Sequence, residues 1–170
     1  MEATMRIADS VIAELDLEAP STRRVLQRIP EDKLGWRPHP KSMSLGQLAL
    51  HVASTPAGVA KIASMDTMEA PDFAQRAEPA SKAEVLETFE RSLGAAKEFL
   101  QSLDDERAEA TFTMRRGERT IMAVPRIGLI RMVMLRHLYH HRGELCVYLR
   151  LLDVPVPAVY GPSADENPFA

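Results

Sequence analysis

The sequence contains a single cysteine, Cys146, among its 170 residues, so no disulfide bond can form within the chain. Disulfides are common where the environment is oxidising, and this composition therefore favours a reducing, cytoplasmic location. Cys146 also falls away from the apolar stripe of the helix that its neighbours predict. We therefore do not expect its thiol to act as a nucleophile.

No apolar run approaches the roughly 20 residues that a membrane-spanning helix needs. The chain begins with an amphipathic, acidic stretch, whereas a secretory signal peptide begins with basic and then apolar residues. The formal net charge is −3, and the lysines and arginines form no basic stripe. Since nucleic acids are recognised by clustered positive charge, a nucleic acid is not an expected partner. A membrane is not expected either, because no apolar run is long enough to span one.

Aromatic residues make up only 5% of the chain, while Ala, Leu and Met are plentiful, which favours helices over sheets. The length suits one domain, residues 1–170, with a full hydrophobic core. Apolar residues recur at spacings of three and four, which is the pattern of one helical face. This pattern predicts four helices, at residues 4–29, 44–62, 81–103 and 125–152. Four such helices predict an all-α fold, a four-helix bundle, whose packing order the pattern does not fix.

Capping residues and prolines mark the ends and the interruptions of these helices. Ser44 and Gln47 form a capping box at the start of the second helix, and a similar pair begins the third. Pro20 and Pro56 lie inside the first and second helical patterns. Because proline removes a backbone N–H donor, each predicts a kink or a break in its helix.

The connections between the helices are predicted to be irregular, with one alternative left open. Residues 31–43 form a proline-containing loop, and residues 65–80 lack periodicity and predict a crossover loop. Residues 104–121 alternate apolar and polar side chains around Gly117, so a small hairpin and an irregular loop are equally compatible with them. Residues 153–170 contain four prolines and predict an irregular C-terminal strap.

Three of the five histidines lie close together in the last predicted helix, at positions 137, 140 and 141. Helix residues three or four apart stack on one face, so His137 could share a metal ion with either His141 or His140. A helical wheel with Met134 at zero places His141 at about −20°, within the apolar stripe, and His137 at about −60°, on its edge. It places His140 at about −120°, outside the stripe. The wheel therefore selects His137 and His141 as the inward pair.

A third inward histidine is predicted in the second helix. His51 falls at about −60° from Leu48, on the edge of the apolar stripe of that helix. Three neutral imidazoles suit zinc, nickel, copper or iron, and three ligands without a fourth leave one position open, as in catalytic metal sites. The alternative is three hydrogen-bonded core histidines, although each buried nitrogen without a partner costs about 1–3 kcal/mol.

Other polar residues could approach such a site, but each has a simpler explanation. His39, between two prolines, is expected to be a loop residue held by a hydrogen bond. Tyr148 lines the apolar stripe of the last helix, where core packing accounts for it. Asp165 and Glu166 lie in the C-terminal strap, for which a surface position is expected.

Four segments of the chain resemble the DinB/YfiT-like superfamily of metal-dependent four-helix-bundle enzymes. They are WRPHPKSMSLGQLALHVA at residues 36–53, HLYHHRGEL at 137–145, YLRLLDVPVP at 148–157 and YGPSADE at 160–166. The resemblance implies an up-down-down-up four-helix bundle that is often a homodimer. It also implies that His51, His137 and His141 bind one divalent metal ion, and these are the histidines that the two wheels place inward.

Glu144 follows His141 by three residues and lies at about −80° on the same wheel. It is a candidate catalytic residue, either as a general base or as a partner that orients an imidazole. The alternative is a solvated helix charge that pairs with a nearby arginine. Members of the superfamily commonly have glutamine at this position, so any role of that amide does not carry over to this chain.

Together these features predict a metal-dependent enzyme that acts on a small molecule by hydrolysis or by thiol transfer. The expected cofactor is one divalent ion, zinc or nickel. The resemblance implies a low-molecular-weight thiol as a candidate partner, because related branches use their metal to activate one. Two alternatives stay open: a non-catalytic metal-binding or stress-related helical bundle, and an interaction module with core histidines.

Overall fold

The computed structural model describes residues 5–71 and 76–169, and in these ranges the chain is mostly helical. The elements in chain order are α1 (Ile7–Gln27), a 3-10 turn (Glu31–Lys33), α2 (Leu45–Ala63), β1 (Thr67–Glu69), α3 (Lys82–Ser102), α4 (Asp105–Glu109), β2 (Thr111–Arg116), β3 (Arg119–Pro125), α5 (Arg126–Leu129), a π-helical segment (Ile130–Arg136) and α6 (His137–Leu151). The long helices therefore lie where the apolar periodicity predicts them. No helix in the described ranges has the length and apolar character that a membrane span requires.

The two prolines inside helices do not break them. α1 continues through Pro20 and α2 continues through Pro56, so the breaks that the sequence allowed do not occur. Near Pro56, Thr55 Oγ1 donates to a carbonyl one turn earlier at 2.6 Å, and the Ala57 amide donates to Ser92 Oγ on α3 at 2.8 Å. The first bond adds to the helical ladder just before Pro56, and the second gives the amide just after it an acceptor on α3.

The long helices pack their apolar faces into one shared core. α1 contacts α3 and α6, while α2 contacts α3, α6 and the π-helical segment. Burial of each large apolar side chain contributes about 1.5–3 kcal/mol. The largest fully buried ones include Phe89, Phe112, Leu15, Leu26, Leu48 and Leu100. This packing holds α2 beside the last helical region, so that side chains from the two can meet.

A three-stranded sheet corrects the all-α expectation. β2 and β3 form an antiparallel hairpin and β1 pairs in parallel with β2, which gives the order β1-β2-β3. The loop between β2 and β3 begins at Gly117, whose φ of +59° is a conformation that glycine adopts at little cost. The hairpin is thus the correct alternative for residues 104–121, with α4 ahead of it. β1 lies in the predicted crossover loop, and its three residues are too few to show alternation.

The last helical region begins one residue later than predicted and is not regular throughout. Pro125 ends β3, where it pairs with Thr111, and α5 starts at Arg126. The segment Ile130–Arg136 is π-helical, and regular α-helical geometry returns at His137. π-helical turns are rare and occur frequently at functional sites. In this chain the change from π-helical to α-helical geometry falls directly before His137.

The buried side chain of Arg126 connects the end of α2, the residues just before β1, and α4. It is 0% exposed and donates to the carbonyls of Ala63 at 2.6 Å and of Met65 at 3.3 Å. It also donates to the Arg107 carbonyl and pairs with Asp66, both at 2.5 Å. These bonds join the end of α2, α4 and the start of α5. Nothing in the sequence pattern predicts them, because an arginine in a first helical turn is usually a surface residue.

Residues 153–169 form an irregular strap over the helices, as predicted for this tail. Glu166 pairs with Arg24 on α1, and Asp165 pairs with Arg150 on α6. These ion pairs attach the strap to two helices. The two carboxylates therefore form ion pairs at the surface, which confirms the surface position predicted for them.

Candidate metal centre

Three histidines from two helices meet in one cluster. His51 lies in α2, His137 is the first residue of α6, and His141 follows one turn later. The Nε2 atoms of His51 and His137 are 2.8 Å apart, and one ring nitrogen from each of the three lies within 4.8 Å of the others. The ring centroids are separated by 4.3, 4.6 and 5.0 Å. The structure thus brings together the three residues that the sequence selects.

The exposure of each histidine follows the helical wheel. His141, placed within the apolar stripe, is 9% exposed. His51 and His137, placed at the edges of their stripes, are half-buried, and His140, placed outside, is exposed. The rotations of His137, His140 and His141 relative to one another hold because α6 is regular from His137 onward, although the reference residue Met134 lies in the π-helical segment.

Burial lowers the pKa of all three cluster histidines. The ordinary value is 6.5, and desolvation, with the neighbouring histidines and Arg76 adding to it, lowers the pKa of His51 to about 4. Desolvation also lowers the pKa values of His137 and His141, although the charge of Glu144 opposes this at both rings. At neutral pH the three imidazoles are therefore uncharged. Each can offer the nitrogen lone pair that a metal ion requires.

The cluster has the donor set and the spacing of a metal site. Imidazole nitrogens lie about 2.0–2.1 Å from a zinc ion, which places tetrahedral ligands about 3.3 Å from one another. The nitrogen separations in the cluster, 2.8 Å at one pair and within 4.8 Å overall, span that value. Uncharged imidazole is a ligand that zinc, nickel, copper and iron all accept. The three histidines could therefore hold one such ion with small adjustments of their rings.

Glu144 contacts two histidines rather than an arginine. His141 Nδ1 donates to Glu144 Oε2 at 2.5 Å, and Glu144 Oε1 lies 3.6 Å from His140 Nε2. The arginine pairing that the sequence also allowed is not found among the described residues. A carboxylate on Nδ1 fixes the tautomer of a histidine and leaves Nε2 as its free nitrogen, an arrangement common at metal-binding histidines.

The histidine cluster stands at one end of a cavity of about 460 Å³. The cavity lies between α2, the hairpin and the last helical region. Its walls are largely apolar and include Val59, Ile62, Met114, Met122, Leu129 and Val133. Small-molecule sites commonly measure roughly 300–1,000 Å³ and combine apolar walls with a few polar groups. The cavity therefore has the size and the character of a small-molecule site, and the sheet supplies one of its walls.

Arg76 is a residue of the cavity that sequence reasoning misses. It lines the cavity together with the three histidines, and it borders a smaller cavity of about 200 Å³ that shares His51. Its positive charge contributes to the lowered pKa of each cluster histidine. Arg76 belongs to the connection at residues 65–80, where the sequence shows no periodicity. No pattern there indicates the direction of a side chain.

Three other residues considered from the sequence make structural hydrogen bonds, and a fourth, Cys146, is half-buried. Gln47 caps the start of α2, and His39 Nδ1 accepts a loop amide at 3.1 Å, both as predicted. Tyr148 donates to the Met43 carbonyl at 3.3 Å, so its hydroxyl is used in holding the loop before α2. Burial raises the pKa of the Cys146 thiol, which makes it a poorer nucleophile.

A protein-family model described as the DinB superfamily matches residues 14–145, a range that contains the histidine cluster and Glu144. The chain belongs to the DinB superfamily. Among curated proteins, the uncharacterized protein YrdA of Bacillus subtilis is 26% identical over 160 residues. That similarity covers 93% of this DinB superfamily chain and 90% of YrdA.

Two solved structures of DinB-like proteins share the fold. The crystal structure of a DinB-like protein from Bacillus cereus has a TM-score of 0.68 at 22% identity, covering 93% of this chain and 100% of the other. That of the DinB-like protein YjoA from Bacillus subtilis has a TM-score of 0.67 at 17% identity, covering 88% and 96%. At these identities the likeness shows the fold of this DinB superfamily member, whereas its chemistry has to come from its own residues.

Proposed function

We propose that this DinB superfamily protein is a metal-dependent enzyme that acts on a small molecule, by hydrolysis or by thiol transfer. The observation that carries the proposal is the cluster of three uncharged histidines at one end of a cavity of about 460 Å³. Structural zinc sites are closed by four protein ligands, whereas catalytic sites have three and a position for substrate. Three ligands beside a cavity therefore favour the catalytic arrangement.

The three histidines and Glu144 have different roles in this proposal. His51, His137 and His141 hold one divalent ion, zinc or nickel. When bound, such an ion supplies a Lewis acid that lowers the pKa of a water or a thiol to near neutrality. Glu144 keeps the His141 ring in the tautomer whose Nε2 is free for the ion. The apolar walls of the cavity receive the part of the substrate that does not react.

Glu144 is expected to act chiefly through His141. Replacing it with leucine should lower metal affinity about 10–100-fold, the usual effect of losing the outer partner of a ligating histidine. Glu144→Gln should keep most of the affinity, because an amide oxygen still accepts the bond from Nδ1. Titration against a chromophoric chelator measures both. Equal affinities in wild type and Glu144→Leu would contradict this role, whereas Glu144→Gln protein that binds metal without activity would make the carboxylate a general base.

The proposal extends to the assembly and the location that the sequence predicts. We infer an up-down-down-up four-helix bundle of α1, α2, α3 and the last helical region, in a cytoplasmic homodimer. The packing of α1 and α2 against both α3 and α6 supports the bundle, and the single cysteine supports the location. The substrate is a small molecule, with a low-molecular-weight thiol as a candidate second substrate.

Metal analysis of protein purified without a histidine tag tests the proposal. We expect about one equivalent of zinc or nickel per chain, removed by a chelator and restored on addition of the metal. Electrophiles and esters, each with several thiols, then identify the reaction. Protein that contains no metal and takes up none contradicts the proposal, and saturable metal binding without any turnover favours a non-catalytic bundle.

A further inference from the structure

The described lining of the cavity carries charge of one sign only. Among its described lining residues there is one arginine, Arg76, and no aspartate or glutamate. The three histidines are uncharged at neutral pH and hold no compensating negative charge. Glu144 contacts His140 and His141 and is not one of the lining residues. Arg76 is thus the one charged side chain among the described lining residues, and the Glu144 carboxylate lies against the Nδ1 atom of His141.

The Arg76 side chain is exposed and has no acidic partner among the described residues. Its Nη1 lies against the uncharged Sδ of Met43, and no carboxylate of the described ranges lies within ion-pair distance. Other arginines are paired, such as Arg23 with Glu90 and Arg142 with Glu18. A guanidinium presents several N–H donors in a planar fork that matches a carboxylate or a phosphate. Arg76 lines the cavity, and within the described residues its contact is with an uncharged sulfur rather than with a carboxylate.

Arg76 lies near the three histidines that could hold the metal ion. Arg76 and the three histidines line the same cavity, and Arg76 and His51 also border the smaller cavity, so the guanidinium charge lies near the cluster. A divalent ion held by the cluster would add two positive charges to that of Arg76, and the Glu144 carboxylate on His141 would offset one of them. An anionic head group at this end of the cavity would be attracted both to the guanidinium and to a bound ion, and the apolar walls suit an uncharged chain.

We propose that Arg76 binds an anionic group of the substrate, which makes the substrate a small organic acid with an apolar body. The guanidinium holds one carboxylate or phosphate group at the histidine end, and the apolar body lies along Ile62, Met114, Met122 and Val133. The proposal rests on the function proposed above and narrows it to one class of substrate. It excludes cationic and uncharged substrates of the same size.

Calorimetric titration with octanoate, 1-octanol and octylammonium tests the role of Arg76. The three probes share an apolar chain and differ in the charge of the head group. We expect wild-type protein to bind octanoate at least tenfold more tightly than 1-octanol, and octylammonium most weakly. Arg76→Gln should weaken octanoate binding about tenfold or more, because hydrogen bonds to a charged group are lost, and should leave 1-octanol unchanged. Arg91→Gln, an exposed arginine of α3 outside the cavity, should bind all three as wild type does.

Each titration is carried out on metal-free and on zinc-loaded protein. Octanoate binding that depends on Arg76 in zinc-loaded protein supports the proposal. If the protein takes up no zinc and the proposed function fails, dependence on Arg76 in metal-free protein supports it. Zinc-loaded wild type and Arg76→Gln that bind octanoate equally would overturn it, because the anion would then be held by the metal alone. Preference for 1-octanol or octylammonium would also overturn it. Zinc affinity itself should be unchanged or higher in Arg76→Gln, since a nearby positive charge is removed.

Discussion

The variant His141→Ala is expected to lose metal binding almost completely, with affinity falling by more than about 100-fold. Losing an outer partner of a ligating histidine costs about 10–100-fold, and losing the ligand itself should cost more. His141 is also the most buried member of the cluster, at 9% exposure, and its ring lies against both others. Without it, His51 and His137 remain as a pair from two helices. Metal content after dialysis and a chelator competition titration measure the loss.

His140→Ala is the matched control for this prediction. His140 neighbours His141 in the chain, but its side chain is 63% exposed on the flank of the helix. We expect wild-type metal affinity in His140→Ala, and a loss in His51→Ala that matches the loss in His141→Ala. Circular dichroism of each metal-free variant verifies that the helices are retained. Unchanged metal binding in His141→Ala, or an equal loss in His140→Ala, would show that the cluster is not the ligand set.

Arg142→Met is expected to destabilise the protein by about 3–5 kcal/mol, the usual effect of removing one member of a buried ion pair. Arg142 is 1% exposed and lies 2.7 Å from Glu18, whose side chain is 10% exposed. It also donates to Thr22 Oγ1 at 2.9 Å and to the Tyr160 hydroxyl at 2.5 Å. The variant leaves the Glu18 carboxylate buried without its cation and removes one of the two hydrogen-bond partners of the Tyr160 hydroxyl. Urea unfolding at neutral pH measures the change in the free energy of unfolding.

Arg150→Met provides the control, because Arg150 is an exposed arginine of the same helix that also pairs with a strap carboxylate, Asp165. We expect it to cost about 0–1 kcal/mol, as exposed ion pairs usually do. The double variant Glu18→Leu/Arg142→Met should recover much of the lost stability, since no unpaired charge stays buried. An Arg142→Met variant no less stable than Arg150→Met would contradict the structural role of the buried pair.

Local patterns in the sequence are sufficient to predict the long helices and the histidines. The spacing of apolar residues depends only on the geometry of one helix, so it locates α1, α2, α3 and α6 without knowledge of their partners. The same geometry separates His141 from His140, since a rotation of 100° per residue decides which ring faces inward. The capping box at Ser44 likewise involves neighbours in the chain, and the structure confirms it. That the histidines bind a metal stays a prediction.

Features that depend on distant residues could not be predicted in this way. β1 is a strand because β2, more than 40 residues later, offers it a hydrogen-bonding edge. The amide that follows Pro56 donates to Ser92 of another helix, α3. In each case the partner lies far away in the chain, where a local pattern carries no information about it.

By itself, the sequence determined which segments are helical and which three histidines face the interior, because both are properties of a single helix and its apolar stripe. Only the tertiary structure decided that these histidines stand beside a cavity, that the sheet forms a wall of it, and that Arg76 supplies its positive charge. It also decided that Arg142 is buried, because Glu18 on another helix is there to pair with it. Contacts of this kind depend on how helices and strands pack together. The periodicity within one helix carries no information about that packing.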